Sequence, residues 1–213
     1  MDKPASSASA SVFGEGPAAR LAASTVAMLF AAFAGAYFLS ALLRAVTATL
    51  APVFSAELGL RAGDLGLLAG AYFLGFAAMQ LPLGRALDRF GPRRTLLVLL
   101  AMAVVGCIAF AHAGGLVSLV LARMLIGVGV SACLMAPLTG YRRWLTPVAQ
   151  LRANSWMLMT GSLGMVASTL PVQWLLPLLG WRGVFWLIAA LLALAIAGVA
   201  LFVPRDRPLI AAP

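Results

Sequence analysis

Arg44 and Arg123 each interrupt an uncharged stretch long enough to cross a bilayer, where a charged side chain at the centre costs at least ~2.5 kcal/mol on insertion scales. Something must offset that cost. A guanidinium presents five donors in a fixed plane and grips a carboxylate or phosphate through two parallel hydrogen bonds. Tyr37 precedes Arg44 by seven residues, so on a helix it shares nearly the same face and brings a hydroxyl to it. An anionic solute held by Arg44 with Tyr37 is the natural inference; the structural use of Arg44 would be to cap helix carbonyls or to snorkel outward. Arg123 is followed by Gly127 and Ser131, a spacing of small residues that lets helices approach closely. Ion coupling or helix packing is therefore expected of Arg123 and Gly127.

A second group carries mechanical rather than solute chemistry. Gly84-Arg-Ala-Leu-Asp88-Arg89-Phe-Gly91-Pro92-Arg93-Arg94 lies between two long apolar runs. Gly84 and Asp88 are one helical turn apart, so a facing helix could approach the glycine and place its positive N-terminal end or an arginine against the carboxylate. Gly91 can adopt the left-handed conformation that ends a helix, Pro92 opposes its continuation, and Arg93 with Arg94 suits a headgroup region. A merely basic loop would need no glycine and aspartate at these offsets.

The elements that must position these groups are helices in a membrane. With 63% hydrophobic and 10% charged residues, and a mean hydropathy of +1.02, the chain has more apolar surface than a soluble domain can bury. Six stretches of the length a helix needs to cross about 30 Å of hydrocarbon are predicted, at residues 23–54, 65–83, 95–113, 116–139, 155–178 and 184–203. Continuous apolarity without period-two alternation excludes a β-barrel. The fold class is an all-α membrane protein, a six-helix bundle at residues 22–204. Residues 1–21, rich in Ser, Ala, Gly and Pro, are expected to be a disordered N-terminal segment rather than a secretory signal, and residues 205–213 a polar tail.

If six spans alternate, Lys3, Arg20, the arginines of residues 84–94, Arg142, Arg143, Arg152, Arg205 and Arg207 fall on one side, against Arg61 and Arg182 on the other. The basic side faces the cytoplasm, so both termini are expected there, in an inner or plasma membrane. The net charge of +9 is divided among helix-anchoring loops, which argues against a nucleic-acid partner. No catalytic site, metal site or cofactor is expected: His112 is the sole histidine, no His-Glu-x-x-His run or carboxylate pair exists, and Cys107 and Cys133 sit inside apolar spans.

Gly84-x-x-x-Asp88-Arg89-x-Gly91-x-Arg93-Arg94 resembles the signature between the second and third helices of the major facilitator superfamily of secondary transporters. Arg123-Met-Leu-Ile-Gly127-Val-Gly129 resembles that superfamily's fourth-helix motif, and Gly180-Trp181-Arg182-Gly183-Val184-Phe185 the start of its sixth helix. The region of Tyr37 to Arg44 and on to Gly66 is similar, in part, to the first-helix region of organophosphate antiporters within the superfamily, in which such an arginine contacts substrate phosphate. The resemblance implies secondary active transport of a small, anionic or organic solute by alternating access, with a coupling ion and no enzymatic activity. It also implies that residues 84–94 gate one side and that this chain supplies the N-terminal half of a two-bundle transporter. The partners expected are the solute, the bilayer and a second six-helix half, either another copy or a separate C-terminal half. The competing expectation is a non-transporting membrane fragment of a decayed gene.

Overall fold

A computed structural model describes residues 23–204; the segments expected to be a disordered N-terminus and a polar tail lie almost entirely outside them. The described residues are all-helical, with no strand: α1 Ala23–Leu58, α2 Ala62–Ala111, α3 Leu116–Val130, α4 Ala132–Trp144, α5 Pro147–Ala167 and α6 Leu170–Phe202. Among them, four helices are long and apolar enough to cross a membrane: Ser24–Leu58, Ala62–Ala111, Leu116–Trp144 and Leu170–Phe202. Large apolar side chains such as Val117, Leu121, Trp174, Leu178 and Leu201 are left exposed, as lipid solvation allows. This is an all-α membrane protein.

Its helices do not map one to one onto the six predicted stretches. Helical hydrogen bonding runs past single-glycine breaks and joins stretches that composition separates. α2 has 50 residues, about 75 Å at 1.5 Å per residue, more than twice a hydrocarbon core. It is broken at Gly91, whose φ of 78° and ψ of 168° belong to a region open essentially to glycine alone. The break is therefore sharper than the left-handed helix end expected from the sequence. Thr95 Oγ1 donates to Ala86 O across it at 3.1 Å. α6 has the same break at Gly180, φ 65° and ψ 170°. Conversely, α3 and α4 continue through Ser131, whose backbone stays helical, while the predicted stretch 155–178 is interrupted at Ser168 and Thr169 before Pro171 in the first turn of α6. Pro171 occupies a helix start, where its missing N–H costs nothing.

Tight turns and glycine contacts set the packing. α1 ends at Gly59, φ 65°, with Leu60 N donating back to Ser55 O at 2.9 Å, a Schellman closure. α2 then starts with Arg61 N donating to Asp64 Oδ2 at 2.8 Å. α3 lies between the two arms of α2: a methyl group at Gly127 would overlap the Tyr72 backbone, one at Gly75 the Met124 backbone, and one at Gly129 the Ala103 backbone. α5 meets α1 in the same way, through Gly161 under the Tyr37 ring and Gly164 under the Phe38 carbonyl. Gly66 and Gly70, one helical turn apart on α2, would place a Cβ within 4 Å of nothing among the described residues. Their face of α2 is open.

Candidate functional site

Close packing of α3 on α2 and of α5 on α1 carries Arg123 to the backbone of α1. Arg123 is 2% exposed. Its Nη1 donates to Leu43 O at 2.8 Å and its Nη2 to Arg44 O at 3.1 Å, and its guanidinium lies 4.5 Å from the centroid of the Tyr72 ring. Both of its forked nitrogens are thus committed to α1, next to the other buried arginine. Gly127, one turn further along α3, lets α3 lie against the α2 backbone at Tyr72.

Arg44 is half-buried. Its guanidinium sits 5.8 Å from the Phe76 ring, which stacks with Tyr72 at 6.4 Å, so two guanidinium groups flank one aromatic pair. Arg44, Thr47 and Arg123 line a cavity of about 320 Å³ together with Ala48, Ala51, Leu65, Ala69 and Phe73. Each of the three polar residues has a buried atom without a hydrogen-bond partner there: Arg44 Nε, Thr47 Oγ1 and Arg123 Nε. Tyr72 Oη is buried beside Arg44, with which it interacts, and lies in the electrostatic reach of Arg123. Orphaned buried polar atoms cost about 1–3 kcal/mol each. Buried polar atoms without a protein partner are ordinarily satisfied by ordered water, an ion or a ligand.

The cavity brings Arg44 and Arg123 together and does not include Tyr37 in its lining. Tyr37 packs on Gly161 of α5, two turns before Arg44. The tyrosine beside Arg44 is Tyr72 of α2. From the sequence, Tyr72 stood out only as a polar residue within a span, as did Gln80, whose Nε2 donates to Phe76 O at 3.4 Å.

At the Gly91 end, Gly84 has nothing within 4 Å, and Asp88 and Arg89 are exposed. Asp88 lines a cavity of about 300 Å³ with Thr139, Arg142 and Arg143 of α4, and Arg143 Nη2 reaches Leu87 O at 3.4 Å. Arg93 Nη2 donates to Ala200 O of α6 at 2.5 Å; Arg94 is exposed. The carboxylate expected to await a facing helix thus shares a cavity with two arginines of the same bundle.

The opposite end carries a network the sequence did not announce. Glu57, at the end of α1, accepts from Trp181 Nε1 at 2.6 Å and is ion-paired to Arg182. Arg182 lies 4.1 Å over the Trp181 ring and donates to Ala113 O at 3.4 Å. Beneath it, Phe110 stacks on Phe185 at 4.1 Å, with Phe54 and Trp181 edge-on to Phe110 at 6.1 and 6.0 Å. Trp181 and Arg182 were visible as a motif; Glu57, more than a hundred residues away, was not.

The Major Facilitator Superfamily model matches residues 21–213. The chain belongs to the Major Facilitator Superfamily. It is 32% identical over 114 residues to a protein of Cupriavidus necator named as a probable sulfoacetate transporter, covering 54% of this chain and 26% of that protein. It is 28% identical over 156 residues to a probable L-galactonate transporter of Escherichia coli, covering 71% of this chain and 34% of that one. To the 4-hydroxybenzoate transporter PcaK of Acinetobacter baylyi it is 29% identical over 140 residues, 65% of this chain and 30% of that one. The chain spans about a quarter to a third of the length of these relatives. All three relatives are named as transporters.

Proposed function

We propose that this chain is the N-terminal six-helix half of a secondary transporter that moves a small organic anion by alternating access, driven by an ion or counter-solute gradient. The observation that carries the reading is the group of unpartnered donors around Arg44. Arg44, Arg123 and Thr47 line one cavity, and each keeps a buried polar atom without a hydrogen-bond partner among the described residues. The named solutes of the three relatives, sulfoacetate, L-galactonate and 4-hydroxybenzoate, all bear a carboxylate, which supports an anion. Arg44 is the solute contact, Tyr37 closes the α1–α5 seam beside it, Arg123 ties α3 to α1, and Gly127 seats α3 on α2, the two serving coupling or packing.

The breaks at Gly91 and Gly180 turn the long helices back on themselves and give six crossings, with both termini on the cytoplasmic side of an inner membrane and residues 84–94 gating that side. A second six-helix half, its own copy or a C-terminal half, then covers the open face of α2 at Gly66, Gly70 and Gly84, where nothing lies within 4 Å. The same open face favours one second reading, a bundle that inserts but transports nothing because that half is missing.

Uptake of labelled organic carboxylates into cells expressing the full reading frame tests the proposal through Arg44→Lys, which keeps the charge and removes the fork. The expected result is a loss of about tenfold or more in apparent affinity, from about 1.5–3 kcal/mol of charge-assisted hydrogen bonding. Unchanged affinity for every transported anion removes Arg44 from the site; no uptake by cells carrying both halves favours the silent bundle.

A further inference from the structure

Arg93 and Arg182 hold the same place in two different helices. Each follows a glycine break by two residues, Gly91 in α2 and Gly180 in α6. Each is therefore a cation in the first turn of the arm it begins, which is the unfavourable end of that arm's own dipole. Both reach across to the favourable end of the other arm. Arg93 Nη2 donates to Ala200 O in the last turn of α6 at 2.5 Å, and Arg182 Nη2 donates to Ala113 O, just past the end of α2, at 3.4 Å. The two arms, residues 92–111 and 181–202, thus lie antiparallel, and at each end the arginine that starts one arm meets a carbonyl that finishes the other.

Those carbonyls need a donor from outside their own helix. The last turn of a helix leaves its carbonyls without an intrahelical partner. For Ala200 the N–H that would continue the ladder, four residues on, belongs to Pro204, which has none. Ala113 is 2% exposed and lies beyond the α2 ladder, which ends at Ala111. A buried carbonyl left unmet is costly, and a guanidinium supplies the stronger, charge-assisted kind of hydrogen bond as well as the charge that a helix C-terminus favours. The two contacts differ in what else they gather. At the Gly180 end Arg182 is also ion-paired to Glu57 of α1. At the Gly91 end Arg93 belongs to the stretch 84–94, so its contact joins that stretch to α6.

We propose that Gly-x-Arg is one device used twice and reciprocally: Arg93 caps α6, Arg182 caps α2, and the two arms are tied at both ends into one unit. Arg93 is then a positioning residue that fixes the 84–94 stretch to α6, and the lipid headgroups are left to Arg94, which is exposed beside it.

Hydrogen exchange of the chain in lipid nanodiscs, read by mass spectrometry on peptides from the two helix ends, tests this without a transport assay or a second half. Arg93→Met keeps the apolar stem and removes the donors. It is expected to speed exchange in residues 199–203 about tenfold, as local fraying does when a terminal hydrogen bond is lost, and to leave residues 109–113 unchanged. Arg182→Met is expected to do the reverse. Each effect then appears on a helix other than the one substituted at its start. Arg93→Lys and Arg182→Lys keep a cation that can donate and are expected to restore most of the protection. Nanodiscs of phosphatidylcholine with and without phosphatidylglycerol are expected to give the same pattern. Exchange that rises only beside the substituted residue, or alike at both helix ends, overturns the reciprocal arrangement. Unchanged exchange in residues 199–203 of Arg93→Met, together with protection that needs phosphatidylglycerol in the unsubstituted chain, overturns the cap and returns Arg93 to the headgroups.

Discussion

The two ends of the bundle are built around the same backbone device and finished in opposite ways. Gly91 and Gly180 both have positive φ with extended ψ, and each turns a long helix at a single residue. Around Gly180 the end is closed: Glu57, Trp181, Arg182 and the Ala113 carbonyl satisfy one another above a stacked aromatic floor. Around Gly91 the end is more open: a Cβ at Gly84 would meet nothing within 4 Å among the described residues, Asp88 and Arg89 are exposed, and the carboxylate shares a cavity with Arg142 and Arg143. A glycine break by itself therefore says nothing about rigidity. The side chains assembled around it decide whether that end is tied together or left exposed.

The largest expected effects break the feature the two ends share. Gly91→Ala and Gly180→Ala each force a Cβ into a region that costs on the order of 1–3 kcal/mol for other residues. Because a Cβ at Gly180 would meet no atom within 4 Å, its loss is strain alone. Thermal unfolding in detergent should show a decrease of that order for both variants. A normal melt for Gly180→Ala would mean that the α6 break can relax and that the closed end is not fixed by its backbone.

Next in size are substitutions that open the closed end. Glu57→Ala leaves the indole N–H of Trp181, which is 2% exposed, without its acceptor, at a cost of about 1–3 kcal/mol. Glu57→Gln keeps an acceptor for the indole and loses only a solvent-exposed ion pair, which water screens to a small contribution. Unfolding midpoints should thus fall clearly for Glu57→Ala and little for Glu57→Gln. Equal falls would transfer the weight from the Trp181 hydrogen bond to the ion pair.

What the sequence could reveal divides along the same line. The Gly84-x-x-x-Asp88 spacing, the break at Gly91-Pro92 and the Trp181-Arg182 pair are local, and a helical period or a glycine's conformational range is enough to find them. Contacts between helices are different, because they depend on how each helix is rotated about its axis, and periodicity does not fix that angle. So Tyr37, chosen for sharing a face with Arg44, packs on α5, and Tyr72 from α2 takes the place beside the arginine. Gly66 and Gly70 have packing spacing and no packing partner. The depth of Arg44 and Arg123 was legible, since burying charge in an apolar run leaves a mark in composition; their division of labour was not.

The smallest expected effect probes the open end most directly. Gly84 lies within a helix and touches nothing within 4 Å, so it contributes no close contact inside this chain, while a glycine within a helix forfeits about 0.5–1 kcal/mol relative to alanine. Gly84→Ala should therefore raise the stability of the isolated chain by about that amount, seen as a higher unfolding midpoint. If the residue is kept small for a partner helix, Gly84→Leu should leave the chain's melt near that of the alanine variant and slow uptake by the complete transporter. The opposite outcome, destabilisation by alanine in the chain alone, would mean that Gly84 already packs within this bundle, and the contrast between a closed and an open end would lose its clearest support.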